Sequence, residues 1–152
     1  MAVAVLDRAG VPYRLHHHAP VRTEADLHLT GLDVETSAKT LAFCLPDDRV
    51  VLAAIPGPAR LRYGNLARVL GVPRSALRPA APDRLAALGM EPGGVGPASD
   101  DPAVQLVLDS RLSGTIFCGS GFPEVSVELL ASDLARVSPT ALFGDLCGED
   151  ND

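Results

Sequence analysis

Apolar positions recur every three to four residues in "AVAVLDRAG" and in "YGNLARVLG", where Leu66, Val69 and Leu70 fall on one side. That spacing predicts a helix over each stretch, ending at Gly10 and Gly71. "PDRLAALG" predicts a shorter helix, and "SDLARVS" a closing one capped by Ser132. In "TEADLHLTG", Thr23 as N-cap, Asp26 three residues on and Gly31 as the stop predict another. Elsewhere the apolar runs are short and rich in β-formers. "PYRLHH", "KTLAFCLP", "RVVLAAIP", "VQLVLD", "GTIFCG" and "VSVELL" read as strands, the second and third joined as a hairpin at Pro46-Asp47-Asp48. "MEPGGVGPASDDP" holds three glycines and three prolines, which exclude regular structure. Several strands follow one another without an intervening helix, so a doubly wound parallel sheet is disfavoured. The expected fold class is α+β, a mixed β-barrel-like sheet with flanking helices.

The length of 152 residues fits one domain, taken as residues 1–152 with a short acidic tail over 145–152. No apolar stretch approaches the roughly 20 residues that span a bilayer, and Asp7 and Arg8 interrupt the first apolar run too early for a secretory signal. Cys44, Cys118 and Cys147 form no close pair, which points away from a disulfide framework and towards a reducing cytoplasm.

Net charge is −6, which argues against a general nucleic-acid binder, but the charge is unevenly spread. Six arginines and one acid lie between Arg60 and Arg84, giving that segment +5, whereas the tail from Asp145 carries −4. The chain has twelve arginines and a single lysine, Lys39, at the start of an apolar run. An ammonium differs from a guanidinium in being a compact point charge that can address one phosphate or carbonyl oxygen. The bland reading of such a residue is a strand end guarded against edge pairing. The glycine loop changes the balance, since bare backbone N–H groups can face an anion or a developing oxyanion.

Other chemistries find less support. His16, His17 and His18 are consecutive, and neighbours on a strand face opposite ways, so they and His28 make a poor metal site; no metal and no cofactor is expected. No G-x-S-x-G elbow frames Ser120.

Taken in order, "GVPYRLHHH", "TEADLHLTGL", "AKTLAF", "AAIPGPARLRYGNLARVLG", "LGMEPGGVGP", "LVLDSRL", "IFCGSG" and "VSVELLASDLARV" resemble the YbaK, or prolyl-tRNA-synthetase-associated, editing domain over about residues 9–142. The resemblance implies a mixed β-barrel with flanking helices that hydrolyses the ester of a mischarged aminoacyl-tRNA. It implies that Lys39, followed by Thr40, holds the 3′-terminal adenosine or its phosphate. The loop from Gly93 and Gly94 to Pro97 would orient the scissile ester and the attacking water. His18, Gly119 and Ser126 align with residues of the amino-acid pocket, and Ser120 is a further lining candidate. Arg60, Arg62 and Arg68 are candidates for tRNA phosphate contacts. The expected partners are the aminoacyl-tRNA 3′ end and prolyl-tRNA synthetase, with no DNA and no membrane. The chain departs from the pattern at Gly96, where a serine is common, and at Ala98. It also departs at Gly119 and Ser126, where the cysteine-specific branch has a small polar residue and an acid. A non-catalytic module that binds a tRNA 3′ end, a nucleotide or a synthetase is the alternative.

Overall fold

A computed structural model describes residues 2–20 and 30–148. Helix α1 (Ala2–Ala9) leads into β1 (Arg14–His17), and a 3-10 turn at 34–36 leads into β2 (Ala38–Cys44). The hairpin to β3 (Val50–Pro56) forms as expected, antiparallel, with Lys39 opposite Ile55 and Thr40 opposite Ala54. Helix α2 (Tyr63–Leu70), the short strand β4 (Arg78–Pro79) and α3 (Pro82–Ala87) come next, then the glycine loop. The remaining elements are β5 (Val104–Asp109), β6 (Thr115–Gly119), β7 (Val125–Leu130), α4 (Leu134–Val137) and β8 (Leu142–Gly144).

The strands form two sheets, ordered β1-β7-β6 and β4-β2-β3-β5-β8. β3–β5 and β5–β8 are parallel and the other strand pairs antiparallel, so the sheet is mixed and the fold is α+β. Among the described residues the two sheets meet at one parallel bridge, Ser37 beside Phe117, and do not close into a barrel.

Alternation along the strands explains the layers. Val50, Leu52 and Ala54 of β3 belong to a core shared by both sheets, with Ile116, Cys118, Val127 and Leu129 of the smaller one. Leu6 of α1 and Leu134 of α4 join it, both fully buried. Val51, Ala53 and Ile55 point the other way, into a second cluster with Phe43 and with Leu66 and Ala67 of α2. A strand covered on both sides should read as a continuous apolar run, which "VVLAAI" does. Truncating the fully buried Leu66 to alanine would cost about 2–5 kcal/mol.

One expectation needs correction, and two strands are not foreseen from the sequence. Ser132 does not cap the closing helix: it lies inside a 3-10 turn (Ala131–Asp133), Asp133 takes the N-cap position, and no side chain bonds there. The tight turn already supplies the entry to α4, so a hydroxyl cap is not needed. β4 and β8 are strands the hydrophobic pattern does not signal, because two or three residues are too few for an alternation to register. The proposed cap at Thr23 and Asp26 lies outside the described residues.

Beyond β8 the chain is held by a buried carboxylate. Asp109, 1% exposed, accepts from the Leu146 amide (2.8 Å) and the Arg111 amide (2.8 Å). Arg62 adds its amide to Leu146 O (2.8 Å) and its Nε to Cys147 O (3.0 Å).

Candidate functional site

Register places the candidate residues on faces. Opposed residues in a sheet share a face and successive residues alternate. In the smaller sheet, Ser126 is opposite both Gly119 and His16, and Glu128 is opposite Phe117 and Arg14. His18 continues β1 through its amide, which donates to Glu124 O (2.9 Å). These residues therefore occupy the face turned away from the shared core. The bridge between Ser37 and Phe117 carries that face across the seam onto β2, where Lys39 follows two residues after Ser37. Lys39 thus shares a face with Ile55, with α2 packed farther along, and with the His18, Ser126 and Gly119 group. It is half-buried and engaged in an interaction of its own.

Thr40 points the opposite way, on the side of Ala38, Ala42 and Ala54. Its Oγ1 is buried and has no hydrogen-bond partner among the described residues. The lysine and the threonine of "KT" are therefore not gathered into one pocket by their side chains.

The glycine loop is fastened to the end of β6 by backbone contacts. Gly121 donates to Gly94 O (2.7 Å), Glu91 donates to Gly121 O (2.7 Å), and the Gly94 amide closes a turn onto Glu91 O (2.9 Å). A methyl group on Gly96 would overlap Gly119 O, one on Gly119 would overlap Val95 O, and one on Gly94 would overlap the Phe122 backbone. Three glycines are needed because two backbones pass at contact distance, leaving no volume for Cβ. The sequence signals the loop but not its partner: the glycine at 119 is what seats the glycine at 96. Pro97 is buried behind them, and Gly93 is exposed with φ +85°.

Ser120 is structural. It is 1% exposed, donates to Val125 O (2.6 Å) and accepts from the Phe122 amide (3.2 Å), tying the β6–β7 connection. Its own carbonyl receives the Ala2 amide, which docks α1 (3.0 Å).

Ser126 is one of the polar residues of that face. His18 Nε2 lies 2.8 Å from its Oγ, and His18 Nδ1 lies 2.8 Å from Ala19 O. Alongside, His16 Nε2 meets Glu128 Oε1 at 2.7 Å and sets its ring edge-on to Phe117 at 5.3 Å. The sequence could offer these residues but not their pairing, which depends on the β1–β7 register.

Arg60, Arg62 and Arg68 are all exposed, in and around α2. Arg62 is committed to the 146–147 backbone, whereas Arg68 lies on the solvent side of α2. Arg74 stacks over Tyr63 (5.8 Å) and Arg84 reaches Asp48 O (2.7 Å). Cys118 is buried and its thiol is pushed up to about 12 by loss of solvent. A thiol held that far from ionisation is not a nucleophile. Among the described residues no helix is long and apolar enough to cross a membrane, and no three His, Cys, Asp or Glu side chains gather in a metal-binding group.

A family model described as the aminoacyl-tRNA editing domain matches residues 18–137. The uncharacterized protein YwhH of Bacillus subtilis (strain 168) is 28% identical over 119 residues, 77% of this chain and 74% of its own. The crystal structure of hypothetical protein APE2540 superposes with a TM-score of 0.80 at 26% identity, covering 96% of this chain and 98% of the other. That of a candidate trans-editing enzyme for prolyl tRNA synthetase superposes at 0.76 with 25% identity, covering 96% and 94%.

Proposed function

The chain belongs to the aminoacyl-tRNA editing domain family, and from that premise we propose that it is a free-standing deacylase of mischarged tRNA. Its substrate would be a tRNA for proline carrying a small amino acid. The observation that carries this reading is the shared face: by register across the Ser37–Phe117 bridge, Lys39 of one sheet and the glycine loop on Gly119 and the His18–Ser126 pair of the other lie on the side turned away from the shared core.

Hydrolysis of an aminoacyl ester makes modest demands. The acyl carbon is already activated, so the enzyme must anchor the 3′ end, stabilise negative charge on the carbonyl oxygen and exclude wrong acyl groups. Lys39 supplies the anchoring point charge. The Gly94 amide is already spent on Glu91 O, so the oxyanion donors would be drawn from the amides of Gly93, Val95 and Gly96. Because Gly96 admits no Cβ beside Gly119, these donors are held rigidly, and preorganised donors are worth more than ones that must reorganise. His18 and Ser126 line the amino-acid side of the pocket, and the half-buried ring of Phe117 extends it with apolar surface. Arg60 and Arg68 supply tRNA phosphate contacts, with prolyl-tRNA synthetase as a candidate partner and the cytoplasm as the setting.

The test is deacylation of a panel of mischarged tRNAs, with correctly charged prolyl-tRNA as control. Selective release of a small amino acid from tRNA for proline supports the reading. Binding of uncharged and charged tRNA alike without release would favour a recognition module instead.

A further inference from the structure

The bonds made by His18 fix more than its position. A carbonyl oxygen can only accept, so the contact between Nδ1 and Ala19 O (2.8 Å) puts the proton on Nδ1. In the neutral ring Nε2 then carries a lone pair, and the 2.8 Å contact to Ser126 must be the serine hydroxyl donating to it. The polarity is that of a nucleophile, its base and a group that orients the base, with a backbone carbonyl in the orienting place. The His18 amide, bonded to Glu124 O (2.9 Å), fixes the backbone below the ring. Both side chains are half-buried on the strand face shared with Lys39, and Ser126 is directly opposite Gly119, on which the glycine loop rests.

We propose that Ser126 is a nucleophile and that this chain hydrolyses its ester substrate through an acyl-serine intermediate, with His18 as general base and acid. This rests on the deacylase reading and specifies its first step. Ser126 Oγ bonds to the ester carbonyl carbon while its proton passes to His18 Nε2. The bond from that carbon to the ribose oxygen then breaks, and the His18 proton goes to the departing oxygen. Water next attacks the acyl-serine, giving a proton to Nε2, and the serine oxygen leaves and takes that proton back. One ester and one water are consumed; one carboxylic acid and one alcohol appear. No oxidant, metal or further reactant is required. Ser120 cannot take this role, because its hydroxyl is buried and donates to Val125 O.

The experiment combines a fluorophosphonate probe, which labels activated serines without needing tRNA, with rapid acid quenching of the deacylation of mischarged tRNA. Wild-type protein should be labelled at Ser126, located by peptide mass spectrometry, and should carry the aminoacyl group on that peptide early in turnover. Ser126→Ala and His18→Ala should each abolish labelling and slow deacylation by about 100-fold or more. Deacylation by Ser126→Ala at the wild-type rate overturns the proposal and leaves the deacylase reading intact. Slow deacylation in that variant, with no label on wild-type protein, also overturns it and reduces Ser126 to a substrate contact. Labelling at Ser126 in a protein that releases no amino acid from any tRNA upholds the nucleophile and overturns the deacylase reading. The probe is applied to wild-type protein, so the answer does not depend on the variants folding.

Discussion

Lys39 and Thr40 are neighbours in sequence and project from opposite faces of β2, the lysine opposite Ile55 and the threonine opposite Ala54. Lys39 follows two residues after the bridge between the sheets, on the face away from the shared core, whereas the buried Thr40 hydroxyl has no partner among the described residues. The two should therefore respond differently to substitution. Lys39→Ala should lose deacylation by about 100-fold or more, in the range of one lost transition-state contact. Its melting temperature should stay within a few degrees, since a half-exposed charge contributes little stability. Lys39→Arg should also be poor, because the planar guanidinium cannot act as a point charge. Wild-type rates for the arginine variant would contradict that.

Thr40→Val should keep activity and gain stability. The hydroxyl is buried without a partner among the described residues, and an unsatisfied buried group costs about 1–3 kcal/mol. Thermal melting and a single-turnover assay on the variant check both halves; a loss of activity would bring Thr40 back into the substrate site.

Much of this arrangement was open to sequence reading, and the reason lies in local signals. The turn at Pro46-Asp47-Asp48, the β3 run and the glycine at 71 are each decided within a few residues, and each forms as the pattern predicts. Gly93, Gly94 and Gly96 likewise announce a loop. What stayed hidden depends on contacts across the chain: that Gly119 receives Gly96, that Arg62 holds residues 146–147, that Ser120 ties a turn. The pairing of His18 with Ser126 spans 108 positions and follows only from the β1–β7 register. Alternation along "AKTL" does separate Lys39 from Thr40, but only once the strand is known to be covered on both faces.

Gly96→Ala should destabilise the protein and impair turnover together. Its methyl would meet a backbone oxygen, which cannot swing aside, so the loop must shift. Overpacking of that kind costs about 1–3 kcal/mol, or a fall of roughly 2–4 °C in Tm per kcal/mol for a chain of this size. Gly93→Ala is milder in packing, since Gly93 is exposed, but is strained by its φ of +85°. Calorimetry beside a deacylation assay separates the two; an unaltered Tm and rate for Gly96→Ala would mean the contact with Gly119 is not rigid.

Stability should decline above about pH 9. Cys118 is buried, and its thiol is pushed from 9.0 up to about 12. Below pH 9 the folded and unfolded thiols are both protonated and nothing is lost. Between 9 and 12 the unfolded chain sheds a proton that the folded chain keeps, so the free energy of unfolding falls with each rise in pH. Denaturant midpoints from pH 8 to 10.5 should fall, and fall less steeply in Cys118→Ala. Equal slopes would contradict the assignment.

Affinity for tRNA should decrease with salt on a log–log slope of about −2 to −4, as for a few neutralised phosphates. The double variant Arg60→Glu and Arg68→Glu should weaken binding and flatten the slope while leaving amino-acid preference unchanged. Arg62 is left out because its Nε holds Cys147 O, so replacing it disturbs the fold as well. A slope identical to wild type would make the basic segment ordinary surface.

Lys39, the glycine loop and the His18–Ser126 face should act together on an aminoacyl ester. The direct measurement is single-turnover deacylation of tRNA for proline charged separately with alanine, serine, cysteine and proline, by wild type and by Lys39→Ala. Wild type should rapidly release at least one small noncognate amino acid and spare prolyl-tRNA, and the variant should lose that release. Spontaneous rates for every charged tRNA with wild type, or equal rates for wild type and Lys39→Ala, would contradict this.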